Sequence, residues 1–172
     1  VITVADNTNL DREAYASFAL TVQVSDCTNT DTATITVNVT DVNDTAPVAI
    51  DATVALTENS PDGTSVHTVV ATDADPLTTL TYAITGGNGA GVFAINSVTG
   101  EITVADNTNL DREAYASFAL TVQVSDGTNT DTATITVNVT DLNDNVPTIG
   151  DHLFSVRDDA ANPTVVGAVA AG

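Results

Sequence analysis

The chain has 172 residues, in which 23 acidic residues stand against three arginines and no lysine, for a formal net charge of -20. Such a negative field repels nucleic acid and anionic lipid, and no apolar run is long enough to span a membrane, so we expect no nucleic-acid partner and no direct membrane insertion. Val, Ile, Thr and Ala dominate the composition, which favours strands over helices, and the lone Cys27 excludes an internal disulfide.

The chain begins with a segment that returns later. Residues Ile2 to Asp41 recur as Ile102 to Asp141, and Gly127 in place of Cys27 is the single difference. A period of about a hundred residues fits one β-sandwich domain and is too long for a solenoid unit. We therefore predict three parts: the C-terminal half of a repeat at 1–46, a complete repeat at 47–146, and the N-terminal strands of a third repeat at 147–172.

Strand patterns follow one another through the complete repeat. Runs rich in β-branched residues, bounded by Gly, Pro, Asn and Asp, predict strands at 50–57, 64–72, 78–85, 92–96 and 101–104. Two later strands alternate strictly, with Phe118, Leu120, Val122 and Val124, and then Ala133, Ile135, Val137 and Val139, on the core side. Seven strands predict an all-β fold, a seven-stranded Greek-key β-sandwich, in which His67 is expected to face solvent.

Most acidic residues of the complete repeat lie at strand ends or in turns. Several stand two residues apart, as in Asp73-Ala74-Asp75 and Asp111-Arg112-Glu113. Two unit charges about 4 Å apart repel by roughly 4 kcal/mol at an effective dielectric of about 20. Ca²⁺ binds about six to eight oxygen ligands and converts this repulsion into attraction. The placement of the acids therefore favours calcium ligands over a role in solubility alone.

Five short motifs of the complete repeat resemble those of the cadherin family in order and spacing. They are Thr57-Glu58-Asn59, Ala71-Thr72-Asp73-Ala74-Asp75, Leu110-Asp111-Arg112-Glu113, Val124-Ser125-Asp126 and Asp141-Leu142-Asn143-Asp144-Asn145-Val146-Pro147. The resemblance covers the complete repeat and both flanks. It implies an immunoglobulin-like β-sandwich of the cadherin type, in tandem, with Ca²⁺ bound between consecutive domains.

The resemblance also implies how the calcium ligands divide between domains. At the first junction, the segment before the complete repeat supplies Asp11, Glu13, Asp41, Asn43 and Asp44, and the complete repeat supplies Asp73, Asp75 and Asp126. At the second junction, the ligands are Glu58, Asp111, Glu113, Asp141, Asn143 and Asp144.

These features predict a structural spacer module of a large adhesin that is extracellular, secreted or on the cell surface, with Ca²⁺ making the array rigid. Near-identical repeats, threonine-rich strands and the absence of lysine resemble bacterial surface proteins, so we expect a prokaryotic parent. The alternative is a direct adhesive module that binds itself or carbohydrate. Against carbohydrate, the chain has no tryptophan, and five of its aromatic residues are expected in the core: Tyr82, Phe93, Tyr115, Phe118 and Phe154.

The remaining possibilities concern enzymes and partners. Carboxylate pairs suggest a glycosidase, but here they recur with the domain period, and we expect no enzyme. The predicted partners are neighbouring cadherin-like domains. Because 1–46 and 101–146 are nearly identical, either half is also expected to fit residues 47–100, which allows domain swapping between molecules.

Overall fold

The computed structural model describes residues 1–76 and 78–170, so Leu77 and the last two residues of the predicted third repeat lie outside the described part. The chain forms two compact units, Val1–Asp141 and Leu142–Gly172, which are described separately. Helical structure in the described ranges is limited to a 3-10 turn at Asn107–Asn109, and these ranges contain no helix that is long and apolar enough to cross a membrane.

The first unit is built from strands throughout, which confirms the predicted all-β fold. Its described strands are β1 (Ser17–Ser25), β2 (Thr30–Asn38), β3 (Val48–Ala49), β4 (Ala52–Thr57), β5 (Ser65–Thr68), β6 (Ala71–Thr72), β7 (Thr81–Gly86), β8 (Phe93–Ile95), β9 (Glu101–Val104), β10 (Ser117–Ser125) and β11 (Thr130–Thr140). A four-stranded sheet in the order β4-β11-β10-β7 and a three-stranded sheet in the order β5-β9-β8 share one core. The predicted β-sandwich is therefore confirmed.

The core side of β10 and β11 is the one predicted from alternation. Leu120, Val122, Val124, Ile135 and Val137 are each 0% exposed. These strands pair antiparallel, and β11 also pairs with β4 in parallel. Strict alternation places every second side chain on one face of a strand, so this face of the sheet is continuously apolar.

The predicted strand at 64–72 is divided in the structure. β5 pairs with β9, whereas β6 pairs with β3, because the chain leaves one sheet for the other between them. The pairing of β5 with β9 also shifts register between Ser65 and His67. His67, which was expected to face solvent, is half-buried: its Nε2 is buried and has no hydrogen-bond partner among the described residues. The register shift interrupts the alternation on which that prediction rested.

The first hairpin, β1–β2, repeats the second, β10–β11, in sequence and in register. Leu20 pairs with Ile35 in the first, as Leu120 pairs with Ile135 in the second. Leu20 and Ile35 are nevertheless 37% and 39% exposed, while their counterparts are fully buried. Hairpin pairing is therefore encoded within these forty residues, whereas burial depends on the strands that pack over the hairpin.

The turn that closes each hairpin has a left-handed backbone. Cys27 has φ 76° and Gly127 has φ 94°. A residue with a Cβ atom is strained at such φ values, and glycine is not. We use the name central domain for residues 47–146, the predicted complete repeat. We expect Gly127→Cys to lower its free energy of unfolding by about 1–2 kcal/mol, measured by urea denaturation under reducing conditions. The reverse exchange, Cys27→Gly, is the control, and equal stability of the wild type and Gly127→Cys would contradict the prediction.

Asp131 fixes the start of the central domain to the edge of β11. Its Oδ2 accepts a hydrogen bond from the Ala49 N–H at 2.8 Å. This bond, followed by one from the Thr132 N–H, lowers the pKa of the Asp131 carboxyl. Because the folded-state pKa is lowered, the stabilisation is complete above the unfolded pKa of about 3.9 and is lost as the pH falls through the folded value.

We therefore expect wild-type protein to lose more stability than Asp131→Asn when the pH falls from about 5 to 2. Urea denaturation across that range measures the difference. Asp31→Asn, at the equivalent position of the first hairpin, is the matched control. Parallel pH profiles for wild type and Asp131→Asn would contradict this role of the carboxylate.

Two aromatic residues expected in the core are exposed. Tyr115 is 43% exposed, although its ring lies 5.3 Å from that of Phe118. Phe154 is 42% exposed and belongs to the second unit, whose described residues form no strand. The strands predicted for the start of a third repeat are therefore not seen in residues 147–170.

Candidate metal sites

A linker at residues 41–47 joins β2 to β3 and contacts two loops of the central domain. Asn43 Nδ2 donates a hydrogen bond to the Asp126 carbonyl at 3.2 Å. The Thr45 N–H donates to Asp75 Oδ2 at 3.0 Å. These bonds bring the polar linker residues against the loop after β6 and the turn after β10.

Carboxylates from three parts of the first unit converge at this linker. Glu13 precedes β1, Asp44 lies in the linker and Asp75 follows β6, yet each offers an oxygen that lies within 4.8 Å of the others. Asp75 is only 2% exposed. We call the eight residues predicted for the first junction the linker cluster: Asp11, Glu13, Asp41, Asn43, Asp44, Asp73, Asp75 and Asp126.

Local hydrogen bonds place the other members of the linker cluster. Asp11 Oδ1 accepts from the Glu13 N–H at 2.9 Å, and Asp73 Oδ1 accepts from the Asp75 N–H, also at 2.9 Å. Asp126 is 8% exposed, and its Oδ1 accepts from the turn that follows it. The structure thus brings Glu13, Asp44 and Asp75 together and places Asn43 against Asp126, while the ligand role of all eight residues stays a prediction.

Five buried oxygens of the linker cluster accept no hydrogen bond from the described residues. They are Asp41 Oδ1, Asn43 Oδ1, Asp73 Oδ2, Asp75 Oδ1 and Asp126 Oδ2. Buried polar atoms are normally hydrogen-bonded, and leaving them without a partner is unfavourable. Carboxylate and amide oxygens are the ligands that Ca²⁺ prefers. The donor set therefore fits a hard divalent cation.

The ionisation of Glu13 reflects this crowding. The largest single influence, its own backbone N–H, lowers the pKa of the carboxyl, but removal of water and the neighbouring carboxylates outweigh it. Those neighbours are Asp41, Asp75 and Asp11. The net result is a raised pKa for Glu13, which is the response of an acid among like charges.

Asp126 responds in the opposite direction. Loss of water, the largest influence, raises the pKa of its carboxyl, but hydrogen bonds outweigh this influence. The donors are the backbone N–H groups of Asn129 and Thr128 and the side-chain amides of Asn129 and Asn43. The pKa of Asp126 is therefore lowered, and the group is held in its anionic form.

A second cluster lies at the other end of the central domain. Glu58, Asp111 and Glu113 each offer an oxygen within 4.8 Å of the others, and Glu58 is 2% exposed. Glu58 Oε2 accepts from the Arg112 N–H at 2.7 Å. The pKa of Glu113 is raised, because removal of water and the nearby carboxylates, Asp141 among them, outweigh the lowering by its own N–H.

The remaining residues predicted for the second junction belong to the other unit. Asn143 and Asp144 follow Asp141, the last residue of the first unit. Their role at a second junction stays a prediction.

Sequence reasoning did not identify two residues at the linker, Thr45 and Asn129. Asn129 Nδ2 donates to the Thr45 carbonyl at 3.4 Å, across 84 positions of sequence. Neither residue belongs to a charged motif. The one available signal was the turn chemistry of Asp126-Gly127-Thr128-Asn129, which indicates a turn and does not indicate what the turn contacts.

Comparison with known proteins identifies a family. The model of the cadherin domain matches residues 52–140. The chain is 38% identical over 158 residues to human protocadherin Fat 1, with 86% of this chain and 3% of that protein covered. It is 39% identical over 165 residues to human cadherin EGF LAG seven-pass G-type receptor 2, with 91% and 6% covered. The chain thus spans only a small part of these relatives.

Solved structures show the same likeness. The extracellular cadherin domains 3–6 of protocadherin gamma B2 superpose with a TM-score of 0.78 at 28% identity, covering 94% of this chain and 43% of that chain. A structure described as the protocadherin gammaB7 EC3-6 cis-dimer gives a TM-score of 0.81 at 27% identity, again with 94% and 43% covered.

Proposed function

Because the chain belongs to the cadherin family, we propose that it is a calcium-dependent structural spacer, in which Ca²⁺ at the linker fixes one domain relative to the next. The family establishes a coarser description: the chain is an adhesion-related extracellular module, and cadherin domains generally bind Ca²⁺. The predicted prokaryotic parent has no support, since the relatives described above are animal proteins.

One observation carries the proposal. Buried oxygens without hydrogen-bond partners come from the linker and from two loops of the central domain, and oxygens of Glu13, Asp44 and Asp75 lie within 4.8 Å of one another. A surface whose acids served solubility would keep them apart and hydrated. A junction that binds a cation needs this convergence of oxygens from both of the segments it joins.

The residues of the linker cluster would hold the ion. Bound Ca²⁺ supplies positive charge that neutralises the carboxylates and connects the elements that carry them. The chain's own contribution is to orient the oxygens: Thr45 holds one oxygen of Asp75, and Asn43 holds the linker to the Asp126 carbonyl. We propose the same role for Glu58, Asp111, Glu113 and Asp141 at a second junction, with Asn143 and Asp144.

The domain division stays part of this proposal: a partial repeat at 1–46, a complete repeat at 47–146 and the start of a third at 147–172. Its proposed partners are the neighbouring cadherin-like domains, and we propose no catalytic activity. Contact between copies of the chain is the second candidate, supported by the exposed core face of the first hairpin, where Leu20 is 37% exposed. Nothing among the relatives supports binding of carbohydrate.

A calcium titration of the whole chain tests the spacer function. We expect Ca²⁺ to raise the melting temperature relative to protein in EDTA, because a ligand that binds only the folded state adds about 2.7 kcal/mol at a hundredfold excess over Kd. Small-angle scattering is expected to show a narrower distribution of shapes in Ca²⁺. Identical melting curves and scattering profiles in Ca²⁺ and EDTA would contradict the proposal.

A further inference from the structure

Asn129 lies where the turn after β10 meets the linker. Its backbone N–H donates to Asp126 Oδ1 at 2.6 Å, and its side chain donates to the Thr45 carbonyl at 3.4 Å. One residue therefore contacts both a buried acid of the linker cluster and the linker itself. Its own side chain carries no charge.

These bonds form part of a chain that crosses the junction. The side chain of Asn129 donates to the carbonyl of Thr45. The backbone N–H of Thr45 in turn donates to Asp75 Oδ2 at 3.0 Å. At its other end, Asn129 holds Asp126 Oδ1, while Asp126 Oδ2 stays buried without a partner among the described residues. The bonds thus fix one oxygen of each acid and leave the other oxygen available.

The first hairpin contains the same turn without a linker above it. Asn29 donates its N–H to Asp26 Oδ1 at 2.6 Å, as Asn129 does to Asp126. The hydrogen bonds that the structure gives Asn29 stay within its own turn, and Asn29 is exposed where Asn129 is half-buried. The local turn chemistry is therefore shared, and the contact with Thr45 is specific to Asn129.

We propose that Asn129 is a positioning residue of the first junction: it holds the linker at Thr45 and orients the Asp126 carboxylate, without binding the ion itself. This inference rests on the proposed calcium function for its effect on affinity. Its effect on the linker is independent of calcium, because both hydrogen bonds exist among the chain's own groups.

The test compares wild type, Asn129→Ala and the matched variant Asn29→Ala. Calorimetric titration with CaCl₂ is expected to show about a threefold to tenfold weaker affinity for Asn129→Ala, the range that follows from losing one hydrogen bond, and unchanged affinity for Asn29→Ala. In EDTA, amide hydrogen exchange at Thr45, measured by NMR, is expected to be several-fold faster in Asn129→Ala alone. Equal melting temperatures in EDTA would show that the variants are folded.

The outcomes separate the two proposals. If the wild-type protein does not bind calcium, the proposed spacer function is overturned. The role of Asn129 is then decided by whether amide hydrogen exchange at Thr45 is faster in Asn129→Ala than in the wild type. Unchanged exchange at Thr45 in Asn129→Ala overturns the positioning role, whatever the calcium affinity. Equal losses of affinity in both variants also overturn it, because they would assign the effect to the turn and not to the linker contact.

Discussion

Leu120→Ala is expected to lower the free energy of unfolding by about 2–5 kcal/mol, whereas Leu20→Ala is expected to lower it by less than about 1 kcal/mol. The two leucines have the same sequence neighbours and the same cross-strand partner type, isoleucine. Leu120 is 0% exposed and Leu20 is 37% exposed. The expected difference therefore comes from packing alone, since the loss of a buried side chain removes transfer energy and leaves a cavity.

Urea denaturation of the two variants and wild type at equal protein concentration measures this difference. Ile135→Ala and Ile35→Ala form a second matched pair, because Ile135 is 0% and Ile35 is 39% exposed. Equal destabilisation within either pair would show that the first hairpin is packed in solution by another part of a molecule. If the destabilisation by Leu20→Ala increases with protein concentration, the segment that packs on the first hairpin belongs to a second copy of the chain, as domain swapping requires.

Asp75→Asn is expected to change stability in opposite directions with and without calcium. In EDTA the variant loses a charge that lies within 4.8 Å of oxygens of Glu13 and Asp44, so repulsion falls and the melting temperature is expected to rise by about 4 °C or more. In Ca²⁺ the variant lacks an anionic ligand, and we expect about a tenfold or larger loss of affinity. The asparagine oxygen can still accept the bond from Thr45.

Thermal melting and calorimetry in Ca²⁺ and in EDTA measure both effects. Asp62→Asn removes the same charge outside both clusters, at a residue whose Oδ1 accepts from the Asn107 N–H at 3.0 Å, and serves as the control. If Asp75→Asn lowers the melting temperature equally in both conditions, Asp75 stabilises the fold by hydrogen bonding and does not act as a calcium ligand.

The regular strands were predictable from the sequence because their information is local. In β10 and β11, alternation alone identified the buried side chains, and every one of the predicted core positions from Phe118 to Val124 is at most 5% exposed. The division of 64–72 and the partial burial of His67 were not predictable in this way. They depend on a register shift against β9, more than thirty residues away, which leaves no periodic signal in β5.

The linker cluster was predicted through resemblance to a family and not through geometry. Composition and spacing identified clustered acids, but they did not show which acids meet, because Glu13 and Asp75 are 62 positions apart. Asn129 had no signal of its own: Asn29, at the equivalent position of a turn that differs only in Cys27 for Gly127, makes its hydrogen bonds within its own turn. Its role follows only from the chain segment that lies against it, which is a property of the tertiary structure.

The two copies of the hairpin sequence also have a consequence for folding in the cell. Residues 1–41 are synthesised before 47–100, and the native partner at 101–141 is synthesised last. At about 5–20 residues per second, the native partner is complete roughly 2–8 seconds after residue 100. During that interval the earlier copy is the complementary segment available to residues 47–100. Because the two copies are nearly identical, the segment that is synthesised first can pair with residues 47–100 before their native partner, 101–141, has been made.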